Sequence, residues 1–339
     1  MSGLLEPFVS AVPELVASSV AGARRPLVVT HENPDADTIG AALGVAIVVE
    51  AHGGRADLVS TDPIPELYAF LPGIERFRTD PDPAGGHDLL VVCDCGSLER
   101  IGGVRGRHPA LFERLPRVVI DHHRSNGGGG AADWVDAGAA ATCEMVALLA
   151  ARLGVGLDAG GGTLAAALMA GIVMDTATFA HPNATPRTLA VSAALVGAGA
   201  PLSEISRRLY RTKPDAQLRL FGRVLDRLET SPDGRLIWST LLEADLAATG
   251  SDPAHSEGLI DLLAQSDRAE VALLFKEVGS ATRVSIRTKP GGVDAIELTG
   301  RFGGGGHARA AGATVEAPVA EARRRVLEEA AKLASAVRR

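Results

Sequence analysis

Leu27-Val28-Val29-Thr30-His31-Glu32-Asn33-Pro34-Asp35-Ala36-Asp37 decides how this chain folds. The apolar, β-branched run Leu27–Thr30 suits a strand buried on both faces. A polar turn with Pro34 follows, and then Thr38–Ala51, an apolar stretch of helical length closed by Gly53-Gly54 as a C-terminal cap. Ala56–Ser60 reads as the next strand. Strand, helix, strand in this order predicts a parallel sheet. Moving outward, Asp88–Cys93 and Arg117–Ile120 are further strand candidates, and Ala141–Leu153 and Thr163–Met174 further helices. The first half is therefore expected to be a doubly wound α/β domain, with ligands gathered at the carboxyl ends of its strands.

Beyond Pro186 the pattern turns helical to about Glu229, with Leu189, Leu195, Ile205, Leu209, Leu218 and Leu225 on spaced turns and breaks at Pro201 and Pro214. After the turn cluster Ser231-Pro232-Asp233-Gly234, strand-like runs return at Leu236–Leu241, Val271–Phe275 and Thr282–Arg287. A glycine run, Gly303–Gly306, and a charged helix, Ala320–Arg338, complete a smaller α/β domain. The expected organisation is residues 1–185, a helical connector at 186–230, and 231–339. Low-complexity pieces are confined to Gly127–Gly130, Gly160–Gly162 and Gly303–Gly306.

At 339 residues the chain is long enough for about two domains, and 46% hydrophobic against 22% charged residues excludes intrinsic disorder. Thirty-four Lys and Arg against 41 Asp and Glu give a net charge of -7, which argues against a sequence-independent grip on long duplex nucleic acid. Three cysteines, Cys93, Cys95 and Cys143, do not make a disulfide framework and point to a reducing compartment, the cytoplasm. Glu6, Pro7, Pro13 and Glu14 interrupt the N-terminal apolar stretch before Arg24 and Arg25, unlike a secretory signal. Ala41–Val49 falls far short of the roughly 20 residues of a membrane span, so a soluble protein is expected.

Chemistry-bearing side chains collect after the strands. Thr30 leads into His31, Asp35 and Asp37; Cys93 into Asp94; Ile120 into Asp121-His122-His123; and Asp175 follows the run Ala166–Met174. One Asp in such a place is ordinarily an N-cap or turn residue. Several at one sheet edge can form a single cluster of two imidazoles (His31, His122) and four carboxylates (Asp35, Asp37, Asp94, Asp175). Packed carboxylates repel and stay protonated unless cations neutralise them. Oxygen and nitrogen donors without thiolate favour Mn²⁺, with Mg²⁺ or Co²⁺ as substitutes, and six ligands exceed what one open site needs, so two divalent ions are expected. The i, i+2 spacing of Asp35 and Asp37 in an extended turn would let them reach neighbouring ions.

These residues resemble the DHH phosphoesterases, named for the triplet present here as Asp121-His122-His123. His31-x-Asn33-Pro34-Asp35-x-Asp37 is similar to the family's first motif, Asp94 to its second and Asp175 within Gly171–Thr176 to its fourth. Arg301-Phe302-Gly303-Gly304-Gly305-Gly306-His307 resembles the signature of the DHH-associated substrate domain. The resemblance implies that His31, Asp35 and Asp94 hold one metal, and Asp37, Asp94, His122 and Asp175 the other, with Asp94 bridging. It further implies that His123 faces the scissile phosphate and that Asp121 orients a neighbouring imidazole.

Backbone N–H groups of Gly304, Gly305 and Gly306 can approach a phosphate closely, and a following helix start would add to the field. With His307, and with Arg287 in a segment resembling the family's substrate-binding arginine, they would clamp the far end of the substrate. Within the family the likeness is to the bifunctional oligoribonuclease and phosphoadenosine-phosphate phosphatase branch, whose relatives also cleave linear or cyclic dinucleotides. The partners expected are therefore short RNA, a dinucleotide or a nucleoside bisphosphate, with no long duplex and no membrane; a homodimer is left open. The alternatives are a single-strand exonuclease, a pyrophosphatase and a non-catalytic nucleotide-binding regulator. A short acidic chain disfavours the first, the Gly-rich His307 segment the second, and the full ligand set the third.

Overall fold

Strand β1 (Pro26–Val29) is buried along its whole length and lies in the middle of six parallel strands. On one side it pairs with β2 (Asp57–Val59), which pairs with β3 (Phe77–Arg78). On the other come β4 (Leu89–Cys93), β5 (Arg117–Asp121) and β6 (Ala132–Val135). The chain thus winds outward in both directions from the gap between β1 and β4, the switch point at which ligands bind in open α/β sheets. This computed structural model describes residues 2–128, 130 and 132–336. Gly129 of the Gly127–Gly130 run and Val337 and Arg338 of the expected last helix lie outside them.

Alternation along the strands divides the first core into two layers. Val28, Val91, Val118 and Ile120 pack with α1 (Glu14–Gly22), α2 (Ala36–Ala51), α5 (Thr142–Arg152) and α6 (Thr163–Asp175). Leu27, Val29, Leu90, Val92 and Val119 face α3 (Gly103–Arg107) and α4 (Pro109–Arg114). Helix α2 is apolar all round because it is buried all round, against α5 and α6. Its end is the expected glycine cap, with Gly53 at φ +82°. The crossing of α2 and α6 is close enough that a Cβ on Gly171 would sit 2.5 Å from Asp37 Oδ1 and 2.4 Å from Cys143 Sγ. Glycine at 171 thereby lets the carboxyl end of α6 reach the amino end of α2.

The chain separates into two compact units, residues 1–212 and 213–339. Helices α7 (Pro186–Gly197) and α8 (Leu202–Ser206), with the π-helical turn Arg207–Arg211, belong to the first unit, and α9 (Asp215–Asp226), begun after Pro214, to the second. The second unit is a mixed sheet ordered β11 (Gly305–His307), β12 (Ala310–Val315), β10 (Ala281–Thr288), β9 (Val271–Val278), β8 (Leu236–Leu241), β7 (Glu229–Thr230). Only β8 and β9 run parallel. One face packs on α12 (Ala295–Gly300) and α13 (Val319–Ala336), the other on α9 and α11 (Leu259–Leu263), while α10 (Glu243–Thr249) follows β8. No single described helix is long and apolar enough to cross a membrane.

Candidate metal centre and substrate-binding strand

Backbone geometry at the switch point turns three strand ends toward one another. His31 follows β1, Asp94 follows β4 and Asp121 ends β5. Asp94 takes a left-handed conformation at φ +57°, which Asp tolerates better than most residues, and its N–H still donates to Ile120 O at 2.9 Å. Asp175 arrives from a helix, as the last residue of α6. The expectation of an extended turn at Asp35–Asp37 is corrected here: Asp35 is the N-cap of α2 and Asp37 lies in its first turn. Capping and site duty share one carboxylate. Asp35 Oδ1 accepts from the N–H groups of Asp37 and Thr38, while Oδ2 lies 3.7 Å from His31 Nε2.

All six expected ligands come together. His31 Nε2 stands 3.6 Å from Asp94 Oδ2, and His122 Nε2 stands 3.4 Å from Asp94 Oδ1, 3.1 Å from Asp175 Oδ2 and 3.9 Å from Asp37 Oδ2. Asp94 therefore reaches both imidazoles through different oxygens. His31, Asp35 and Asp94 form one set of donors close enough to share an ion, and Asp37, His122 and Asp175 another; a third overlapping set joins His123 to Asp94 and His122. The ring nitrogens are oriented from behind: His31 Nδ1 donates to Glu32 O at 2.7 Å and His122 Nδ1 to Ala139 O at 3.4 Å, leaving each Nε2 for the cluster.

The electrostatics explain why such a cluster suits a cation. Burial, and then the charges of Asp94 and Asp175, push the Asp37 carboxyl well above the usual carboxylate range. Asp175 is raised by burial and by Asp94, against the opposing hydrogen bond from His122. Burial alone would lower both histidines. Asp35 and Asp94 instead raise His31, and Asp175, Asp37 and Asp94 raise His122, each to about 10. Without a metal, protonated His31 and His122 offset part of the carboxylate charge. Hard oxygen donors with two imidazoles and no thiolate are the set a divalent cation such as Mn²⁺ or Mg²⁺ accepts. Cys93, Cys95 and Cys143 are free, buried thiols, pushed up by burial.

His123 and Asp121 form a separate pair beside the cluster. Asp121 is fully buried, accepts from His123 Nδ1 at 2.8 Å and from Asn126 Nδ2 at 2.7 Å, and raises the His123 imidazole. Burial opposes ionisation of Asp121, but these hydrogen bonds hold it below its ordinary range. His123 Nδ1 is 3.5 Å from Asp94 Oδ1. Sequence reading missed the far wall: the N–H groups of Thr142 and Cys143 chelate Asp37 at 2.7 and 2.8 Å, and Thr142 Oγ1 donates to Asp94 at 2.9 Å. The available signal was the start of α5 itself, because helix N-termini attract carboxylates.

In the second unit the glycine run does not open onto a helix as expected. Gly305–His307 is an edge strand that turns back into β12. Two of the glycines are required by that close approach: a Cβ on Gly304 would stand 2.2 Å from Gly312 O, and one on Gly306 2.6 Å from Ala310 O. Arg287 and His307 both pair with Ala310, on either side of β12, so their side chains share one rung and one face of the sheet. His307 is exposed, and Arg287 Nε donates to Asp261 at 2.7 Å.

Comparison with known proteins agrees with this architecture. The DHH family N-terminal domain matches residues 25–172 and the DHHA1 domain residues 237–336. A Thermus thermophilus protein named bifunctional oligoribonuclease and PAP phosphatase is 34% identical, over 93% of this chain and 92% of its own length. A Bacillus subtilis protein of the same name is 29% identical over 84% and 87%. A Bacteroides fragilis crystal structure, described as an exopolyphosphatase-related protein, superposes with a TM-score of 0.82 at 19% identity, covering 100% of this chain and 98% of that one, which speaks for the fold.

Proposed function

The chain belongs to the DHH family and carries a DHHA1 domain, and from that premise we propose that it hydrolyses short oligoribonucleotides and dinucleotides to mononucleotides and removes the 3′-phosphate of adenosine 3′,5′-bisphosphate. It is a hydrolase of phosphoester bonds. The observation that carries the substrate reading is the 34% identity to the Thermus thermophilus protein over nearly the full length of both chains, together with a ligand set present in full.

His31, Asp35 and Asp94 would hold one divalent ion, and Asp37, Asp94, His122 and Asp175 a second, Mn²⁺ by preference. Bound there, the pair supplies Lewis acidity and charge neutralisation for in-line displacement at phosphorus. The protein's own groups do the rest. Glu32 O and Ala139 O keep His31 and His122 in the tautomers that present Nε2. Asp121, through its hydrogen bond to Nδ1, raises His123 above its ordinary value and so favours the protonated imidazole, which serves as acid toward the leaving oxygen. Arg287, His307 and the N–H groups of Gly304, Gly305 and Gly306 bind the substrate end remote from the scissile bond. A net charge of -7 offers a long strand little further attraction, which favours short substrates. The three free thiols suit the cytoplasm.

The test is product analysis with Mn²⁺-loaded protein on RNAs of two to twenty nucleotides, adenosine 3′,5′-bisphosphate and cyclic di-AMP. Dimers should be cleaved fastest and rates should fall with length; equal rates on long strands would overturn the reading. Arg287→Ala or His307→Ala should cost roughly 2–4 kcal/mol of dinucleotide binding, while turnover of bis-p-nitrophenyl phosphate, which carries no nucleotide for these residues to hold, stays within twofold.

A further inference from the structure

One residue beyond Asp175, three consecutive residues other than glycine, Ala177, Thr178 and Phe179, stand in the left-handed region at φ +46°, +58° and +63°. L-residues avoid this region, and for β-branched Thr178 it is a genuine outlier. Such a conformation persists where its surroundings enforce it. Here Thr178 N–H donates to Val173 O at 2.9 Å and Phe179 N–H to Thr176 Oγ1 at 3.0 Å. The hydroxyls of Thr178 and Ser206 share a hydrogen bond of 3.0 Å, and Phe179 packs against the core.

The end of α6 shows what the turn achieves. A helix leaves its last carbonyls without intrahelical partners. Ile172 O receives the N–H and hydroxyl of Thr176, and Met174 O receives Ala177 N–H and the Tyr210 hydroxyl. The Asp175 carbonyl is taken up by two side chains that the turn brings back, His181 Nδ1 at 3.1 Å and Asn183 Nδ2 at 3.2 Å. Asn183 Nδ2 also donates to Ala140 O at 3.1 Å. Ala140 lies in the segment Ala139–Cys143 that fixes His122 through Ala139 O, Asp37 through two N–H groups and Asp94 through the Thr142 hydroxyl. Three expected ligands are thus referenced to one short segment, and the Asn183 amide ties the fourth, Asp175, to it.

We propose that Asn183 is a positioning residue, whose amide sets the separation between Asp175 and the group Asp37, Asp94 and His122 by bridging the carbonyls of Asp175 and Ala140. The left-handed turn is the device that delivers it. This rests on the metal-ligand reading of Asp175. Without the bridge, the donors Asp37, His122 and Asp175 lose their register, while His31 and Asp35, held by Glu32 O and by the cap of α2, keep theirs.

Asn183→Leu keeps the approximate size and removes the donors. Mn²⁺ titration by calorimetry of the chelator-stripped full chain should show one binding event within twofold of wild type and a second weakened at least tenfold. Electron paramagnetic resonance should show loss of the spin coupling between neighbouring ions at two equivalents. On the best substrate kcat should fall 10- to 100-fold with KM within threefold. If the Leu variant shows no thermal transition, Asn183→Ser, whose hydroxyl can bridge a single carbonyl, replaces it with the same expectations. Both events unchanged, both weakened equally, or kcat within twofold of wild type overturns the proposal. Should wild type bind two ions yet cleave no member of the substrate panel, the proposed function fails while the titration still decides this inference; should wild type bind no Mn²⁺, both fall.

Discussion

Loading metal-free protein with Mn²⁺ at pH 7 should expel about two protons from the site. His31 and His122, ordinarily at 6.5, are each raised to about 10 by the carboxylates around them, against the lowering effect of burial. Both therefore carry protons at neutral pH, and both must lose them before Nε2 can accept a cation. With two protons displaced, the logarithm of the overall affinity rises by about two per pH unit between pH 7 and 9, roughly a hundredfold for each unit, and levels off near pH 10. Isothermal titration in buffers of different ionisation enthalpy counts the protons directly. Release of fewer than one proton, or an affinity flat over this pH range, would refute the reasoning. The same groups govern the metal-free fold. A raised histidine contributes stability that is fully present below 6.5 and lost as pH climbs through about 10, so in chelator the melting temperature should decline over that window.

Asp94→Asn, which keeps a residue tolerant of the left-handed backbone at 94, should remove charge from both donor sets at once and lower turnover at least 10³-fold; atomic absorption alongside kcat checks it, and near-normal turnover would sink the bridging role. His123→Ala should retain both metals yet lose on the order of 10²-fold in kcat, measured on metal-replete protein; loss of metal would mean the residue is a ligand. Asp245 is buried, and its carboxyl is held well below the usual range by Arg227 foremost and by Arg223. Its contribution is present above the unfolded value of about 3.9 and lost as pH falls below it. Asp245→Asn should therefore cost about 1–3 kcal/mol in urea unfolding at pH 7, less than the 3–5 of a fully buried pair because both arginines are partly exposed, and much less at pH 2.

The central strands were legible because a buried parallel strand is a short β-branched run, and Leu27–Val29, Leu89–Cys93 and Arg117–Ile120 have that composition. β3 has only two residues, and β6, Ala-Asp-Trp-Val, has a charge in its middle in place of a β-branched run. β12, Ala-Ala-Gly-Ala-Thr-Val, lacks the bulky residues that announce a strand, so the glycine run before it looked like the approach to a helix. The six cluster residues could be found because strand ends in such a sheet converge. Asn183 could not, since it acts on carbonyl groups that a sequence does not place, and Thr142 was announced by nothing more than the start of α5.

The four acids and two imidazoles of the cluster are drawn from positions 31 to 175, across three strand ends and two helices. A ribosome must release the chain through Asp175 before the last donor can join the first. Shorter nascent fragments hold His31 and Asp35 without their counterparts from α6. The full donor set therefore assembles only after residue 175 has been made, well after the central strands that carry its first members.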